Sequence, residues 1–257
     1  MRWDMTLQIG IAGISGRMGR LLAEEVARLA VLAGGTSRAG TGPDGVILQP
    51  DLAALADISD IIIDFTHAST VVPHAAALAA SGKPWVLGTT GFDAAATEAI
   101  AEAAQKIPVI AAPNYCTGVN IAFAIAERLG AVLPAEAYDA EILEMHHRQK
   151  VDAPSGTALG LGRAVAAGRG VKLEDVMVSG RHGHTGARKD GEIGFATLRG
   201  GQVVGSHTLS FTAGSEQISL THHALDRRVF ATGAVRAALW LHDKQPGLYT
   251  MRDVLGL

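Results

Sequence analysis

TLQIGIAGISGRMG, residues 6–19, joins a short apolar run to a loop with glycines at 10, 13, 16 and 19. TLQIGIA (6–12) has the length and content of a buried strand. From about Met18, Leu22, Val26 and Leu29 recur at helical spacing. A glycine-rich turn between strand and helix lets the backbone approach a pyrophosphate, whose charge the helix N-terminus favours. The spacing of Gly10, Gly13 and Gly16 is GxxGxxG rather than GxGxxG, and turns of this kind also occur as plain structure. Position favours nucleotide binding, because the loop follows the first strand of an alternating pattern, where a dinucleotide fingerprint belongs.

That alternation runs through the first half of the chain. VLAGG (31–35), DIIIDF (60–65), PWVLG (84–88) and IPVIA (107–111) read as strands. Between them lie an Ala-rich helix reaching Ala80 and a second helix opened by Asp93, a good N-cap. Strand-helix alternation implies a parallel, doubly wound α/β sheet. Past residue 117 the pattern changes. TGVNIAFAIAERLG (117–130) is helical, YDAEILEMHH (138–147) strand-like, and a helix runs from about Ser155 to Ala167. A Gly-rich, basic stretch (179–201) follows. VVGSHTLSF (203–211) and EQISLTHHA (216–224), linked by TAGS, predict an antiparallel hairpin. RRVFATGAVRAALWLH (227–242) is a helix followed by a tail. A nucleotide-binding domain and a second, mixed α+β domain are expected, with the boundary near residue 117.

Of the 257 residues, 48% are hydrophobic and 18% charged, enough to bury a core over one large or two modest domains. A net charge of -3 gives no reason to expect nucleic acid or an anionic membrane as partner. The single cysteine, Cys116, suits a reducing cytoplasm. MRWDMTLQIGIAG lacks the long apolar core of a signal peptide. The uncharged run 107–126 is broken by Pro108, Pro113, Asn114, Gly118 and Asn120, where a span needs roughly 20 predominantly apolar residues. A soluble, cytoplasmic protein is the expectation.

The end of the second strand carries the ribose discriminator: an acid there bonds the 2′-OH of NAD, an arginine accommodates the 2′-phosphate of NADP. Here the chain reads Gly35, Thr36, Ser37, Arg38, with no acid. Ser37 can donate to a phosphate and Arg38 can pair with it or stack on adenine. NADPH, or use of both cofactors, is favoured over a plain solvated loop.

EILEMHHRQKVDAPSGTAL (141–159) crowds His146, His147, Arg148 and Lys150 ahead of Asp152, Pro154, Ser155, Gly156 and Thr157. A zinc site is disfavoured, because neighbouring His146 and His147 point to opposite faces of a strand. His182, His184, His222 and His223 fall in no recognised ligand spacing. A solvated strand end is the bland alternative. Against it, Asp152, Pro154 and Ser155 prepare a helix start whose amides at Gly156 and Thr157 suit a carboxylate or phosphate.

Taken in order, IAGISGRMGR (11–20), IDFT (63–66), GTTGFD (88–93), APNYCTGVN (112–120), EILEMHHRQKVDAPSGTAL, GHTGARKDGEIGFATLRGGQVVGSHT (183–208) and GLYTMRDVLGL (247–257) cover nearly the whole chain. With these blocks it resembles the 4-hydroxy-tetrahydrodipicolinate reductase (dihydrodipicolinate reductase) family of bacterial and plant lysine biosynthesis. The resemblance implies a Rossmann-type domain, 1–117 plus 228–257, enclosing a substrate-binding and tetramerisation domain, 118–227. It implies that Gly13, Ile14, Ser15, Gly16, Arg17 and Met18 hold the pyrophosphate of NADPH or NADH. Gly88, Thr89 and Thr90, with Ala112, Pro113, Asn114 and Tyr115, would line the nicotinamide side. His146 matches the assigned proton donor, Lys150 a second candidate acid, and His147, Gly156 and Thr157 substrate-binding positions. Ser37 departs from members with an acidic ribose ligand, leaving Arg38 as the expected 2′-phosphate contact. A homotetramer comes from the resemblance alone.

The chemistry asked of these residues is consistent. A cyclic dicarboxylate that accepts hydride and then a proton needs two anion sites and an acid. Histidine, with a pKa of about 6.5, suits proton delivery near neutrality. A lysine near about 10.4 serves better as a charge stabilising the developing anion unless its pKa is lowered. The expectation is His146 as acid and Lys150 as electrostatic partner or alternative acid. Aspartate- or homoserine-type dehydrogenases would not require this block. A non-catalytic NAD(P)H-binding redox sensor would need only the glycine loop, and a zinc hydrolase ranks third.

Overall fold

A computed structural model describes residues 6–257. The first five, on which the leader reading partly rests, lie outside the described residues. The chain divides into two compact units: one runs to Thr117 and resumes with Arg228–Leu257, and the other is Gly118–Arg227.

The first unit begins β1 (Gln8–Ala12), α1 (Arg17–Leu29), β2 (Val31–Thr36), β3 (Leu48–Gln49) and α2 (Leu52–Asp57). It continues β4 (Ile61–Asp64), α3 (Val71–Ser81), β5 (Trp85–Leu87), α4 (Ala94–Ala104) and β6 (Pro108–Ala111). The second unit holds α5 (Thr117–Val132), β7 (Asp139–His146), α6 (Gly156–Gly168), α7 (Leu173–Val176), β8 (Met177–Ser179), β9 (Ile193–Arg199), β10 (Gly205–Thr212) and β11 (Gln217–Ala224). The chain then returns to the first unit as α8 (Arg228–Leu241), β12 (Gly247–Tyr249) and α9 (Met251–Leu255).

In the first unit all strand pairs are parallel, in the order β12-β6-β5-β4-β1-β2-β3. Parallel strands covered on both faces must be apolar at successive positions, and IIID in β4 is buried at all four. Ile61 and Ile63 enter one core with Leu22 and Val26 of α1, Ala234, Val235 and Ala238 of α8, and Met251 of α9. Ile62 faces the other way, with Trp85, Leu55 of α2, Leu78 of α3 and Ile100 of α4. Asp51 and Asp93 cap α2 and α4 by accepting from Ala54 and Ala96 N–H. Strand order reverses between β1's neighbours β2 and β4, so the crevice beyond the carboxyl ends of β1 and β4 is the binding position of this topology.

The second unit is a mixed five-stranded sheet, β11-β10-β7-β9-β8. β10 pairs antiparallel with β11 and β7, whereas β9 runs parallel to β7 and β8. Its core gathers Ala126 of α5, Leu161 and Val165 of α6, Ile142, Phe195, Leu209 and Phe211. The short elements β3, α2, α7 and β8 are not given by the sequence reading, and two longer stretches also depart from it. The stretch 179–201 contains β9, whose IGF segment is buried. The tail contains β12, which extends the parallel sheet beside β6, and α9.

His207 is buried on the inner face of β10, and its Nε2 meets Ser155 Oγ at 3.0 Å. Burial, with the nearby His146 adding to it, pushes the imidazole down to about 4. Between about pH 6.5 and 4 the unfolded chain therefore binds a proton that the folded chain does not, so stability falls as pH drops through that window, by ~3 kcal/mol at most. His146 and His222, also lowered, act in the same direction. Urea midpoints read by circular dichroism across this window should fall less steeply in His207→Asn than in the wild type. Equal slopes would remove His207 from the account.

Candidate active site

The turn after β1 is built by three backbone hydrogen bonds. Gly13 and Ile14 N–H both donate to Thr36 O at 3.1 and 3.0 Å, pinning the loop to the end of β2, and Gly16 N–H donates to Gly13 O. Gly13 has φ +79°, the left-handed region glycine adopts without strain. A Cβ on Gly19 would lie 2.3 Å from Gly13 O and 2.6 Å from Ile14 Cα, so α1 can press against the loop only with glycine there. Gly16 is the N-cap and has no side chain to cap the helix, and α1 has no acid in its first turn. Arg17 and Met18, at the first two positions, therefore have N–H groups without an intrahelical acceptor, at the positive end of the helix dipole. The expected pyrophosphate residues separate into two kinds. Gly13 and Ile14 spend their amides on the fold, whereas Arg17 and Met18 stand in the first turn of α1, where no earlier helical carbonyl is available to their N–H groups.

A cavity of about 460 Å³ opens over this turn, lined among others by Gly13, Ser15, Arg38, Thr66 and His74. Ser37 Oγ donates to Ser15 Oγ at 2.9 Å, joining the segment after β2 to the glycine loop. Arg38 is exposed at the cavity's edge. The uncapped helix start, the glycine-only packing and this cavity fit a dinucleotide. A second cavity of about 190 Å³ is lined by Thr89, Thr90, Ala112 and Pro113. Gly88 N–H is bonded to Asp64 O, and Asn114 Oδ1 accepts from Cys116 N–H. Tyr115 is buried, its hydroxyl between Leu87 O at 2.7 Å and Ile110 O at 3.1 Å, and burial pushes its pKa up. Its hydroxyl ties the end of β5 to β6.

The sequence reading gave no role to the end of β4. There the buried Asp64 carboxylate accepts from Thr66 N–H and Oγ1, and His74 Nδ1 lies 2.7 Å from its other oxygen. Thr66 N–H also meets Thr89 Oγ1. A polar residue closing an apolar strand, DIIIDF, was the available signal.

In the second unit β7 alternates, with Ala140, Ile142, Glu144 and His146 facing inward. Glu144, 1% exposed, accepts from His146 Nδ1 at 2.6 Å, Ser155 N–H at 2.9 Å, Arg199 at 2.9 and 3.0 Å, and Thr197 Oγ1 at 3.3 Å. Burial opposes its charge, but these donors outweigh it and hold the carboxyl below its usual range. His146 meets the reverse balance. Burial lowers its pKa, the bond to Glu144 offsets part of this, and the charges of Lys150 and Arg199 lower it further. With Nδ1–H given to Glu144, Nε2 is the ring atom left for proton exchange. The ring stands edge-on to His207 at 5.0 Å between centroids.

The chain then turns, Lys150 N–H to His147 O, and Lys150 Nζ pairs with Asp152 Oδ1 at 2.8 Å. Ser155 is the N-cap of α6, its Oγ accepting from Ala158 N–H, so Gly156 and Thr157 occupy the first two helical positions. His147 Nε2 accepts from Arg227 at 3.3 Å, which leaves the hydrogen on Nδ1, a buried donor without a partner. His146 closes β7, His147 and Lys150 lie in the turn that follows, and Gly156 and Thr157 open α6. Among the described residues no group of three or more His, Cys, Asp or Glu is set to hold a metal.

Models of the dihydrodipicolinate reductase N-terminus and C-terminus match residues 7–115 and 118–255. The chain is 66% identical to the 4-hydroxy-tetrahydrodipicolinate reductase of Acidiphilium cryptum over 251 residues, 98% of each chain. It is 58% identical to that of Granulibacter bethesdensis over the full length of both. The fold superposes, with a TM-score of 0.78 and 24% identity, on dipicolinate-bound dihydrodipicolinate reductase from Paenisporosarcina sp. TG-14, covering 96% of this chain and 98% of that one. With family models over both units and relatives alike from end to end, the chain belongs to the dihydrodipicolinate reductase family.

Proposed function

We infer that this chain reduces 4-hydroxy-tetrahydrodipicolinate to tetrahydrodipicolinate with NADPH or NADH, in the diaminopimelate route to lysine. The observation that carries this reading is the turn from His146 to Thr157. It sets an imidazole with a free Nε2, a lysine and a helix start within one short segment, as a dianion that must gain a proton requires. When bound, the reduced nicotinamide supplies hydride. The chain supplies the rest: amides at Gly156 and Thr157 take one carboxylate, and His147 Nδ1–H and basic side chains take the other.

A neutral His146 at rest is no obstacle to its acting as the acid. Two carboxylates beside the ring offset the fields of Lys150 and Arg199 that depress it, so substrate binding itself favours the protonated form. Proton delivery is assigned to His146 Nε2, with Lys150 as electrostatic partner or alternative acid. Ser37 and Arg38 favour the 2′-phosphate of NADPH, with NADH still admitted.

We assign a homotetramer in the cytoplasm. The support for assembly is the outer face of the second unit's sheet, where Leu143 and Leu198 are 45% and 48% exposed beside the paired hydroxyls of Thr208–Thr221 and Ser210–Ser219. Among the described residues no helix is long and apolar enough to cross a membrane.

The decisive assay follows nicotinamide oxidation with freshly generated condensation product of pyruvate and aspartate semialdehyde; no turnover with either nucleotide would end the reading. Lys150→Ala should lower kcat by about a hundredfold while nucleotide binding persists, and parallel loss of both would mean a different role. Arg38→Ala should raise KM for NADPH by about tenfold and leave KM for NADH nearly unchanged. A uniform rise would remove the cofactor argument. Light scattering should give a mass four times that of the chain, and a monomer at micromolar concentration would refute the assembly.

A further inference from the structure

We propose that Glu144 is a positioning residue, whose buried carboxylate fixes the proton of the resting His146 ring on Nδ1 and ties that ring to the helix start at Ser155. The proposal rests on the reading of His146 as proton donor. Glu144 lies two residues before His146 on the same inward face of β7, and its two oxygens divide the work. Oε2 accepts from His146 Nδ1 at 2.6 Å and Arg199 Nη1 at 2.9 Å. Oε1 accepts from Ser155 N–H at 2.9 Å, Arg199 Nη2 at 3.0 Å and Thr197 Oγ1 at 3.3 Å.

Two consequences follow from that division. A carboxylate can only accept, so the imidazole must present Nδ1–H to it, and Nε2 becomes the atom that takes up and releases the proton. The same carboxylate holds the backbone of the residue immediately before Gly156 and Thr157, so one rigid group sets the spacing between acid and anion cradle. Arg199 reinforces it from β9 by also donating to Asp152 O, in the loop that carries Lys150. The charged and titratable groups facing the pair are Arg199 on β9, His207 on β10, and Lys150 and Asp152 in the loop.

Glutamine has the shape of glutamate but one accepting oxygen and a donating NH2. In Glu144→Gln the NH2 should face His146 and draw the ring into the Nε2–H form, closing the atom that exchanges the proton.

The test reads the ring directly. Full-length protein labelled with 15N-histidine is compared by long-range 1H–15N correlation at about pH 8, above the ordinary imidazole range. His146→Gln assigns the His146 signal. The wild type should show His146 as Nδ1–H, and Glu144→Gln should move it towards Nε2–H. In the oxidation assay Glu144→Gln should lower kcat at least about tenfold, with KM for NADPH within about twofold. Glu144→Asp, which keeps the charge, should recover part of the loss.

A wild-type ring protonated on Nε2 would overturn the proposal, as would an unchanged tautomer and kcat in Glu144→Gln. If that variant does not fold, the wild-type tautomer and the Glu144→Asp rate still decide. Undiminished kcat in His146→Gln would instead sink the donor reading, with the Nδ1–H signal standing, so the two failures are distinguishable.

Discussion

A carboxylate withdrawn from water inside a small sheet domain loses its hydration, a cost of several kcal/mol that only well-placed donors offset. Glu144 is such a group, and much of the second unit's site is arranged around it. β9 brings Arg199 and Thr197, the start of α6 brings the Ser155 N–H, and β7 brings His146. Three separate stretches of chain thus converge on two oxygen atoms. A polar network buried this deeply is stable only when fully satisfied, which makes it specific about geometry. The start of α6 and the end of β7 are held at a fixed spacing by that requirement.

The first unit solves a different problem with backbone alone. Its loop must leave room for an anion against a helix end, so side chains are removed where the chain crosses itself, at Gly13 and Gly19. The amides of Gly13 and Ile14 are given to Thr36 O, so β2, which also carries Ser37 and Arg38 just beyond its end, is locked to the glycine loop. The end of β2 and the glycine loop are mechanically one piece.

The parallel sheet was legible because its central strands are buried on both faces and read as unbroken apolar runs, IGIA, IIID and PVIA. β9 was not, since IGFATLR sits in a glycine-rich basic segment and only its first three residues are buried. β12, with three residues, is too short to show any period. At the site, the helix start after Ser155 could be read from the sequence, and it forms with Gly156 and Thr157 as its first two residues. Glu144 escaped notice because a glutamate in a strand suggests solvent. Carrying the parity of Ala140 and Ile142 forward would have placed it inside. Tyr115 shows the converse: the motif names the residue, but only packing tells that its hydroxyl is spent between two strands.

The first unit is discontinuous, and this bears on how the protein is made. Its core on one face of the sheet includes Ala231, Ala234, Val235, Ala237, Ala238 and Leu241 from α8, and its edge is closed by β12. A ribosome that has delivered residues up to 117 has released six strands of the sheet with one face covered by α1 alone. The whole of the second unit must be synthesised before the rest of that face can be covered. Domains ordinarily fold from the N-terminus as they emerge. Here the later segment can close on itself first, while the earlier one waits for the part of its core that α8 and α9 supply, a vulnerable interval that chaperones are suited to guard.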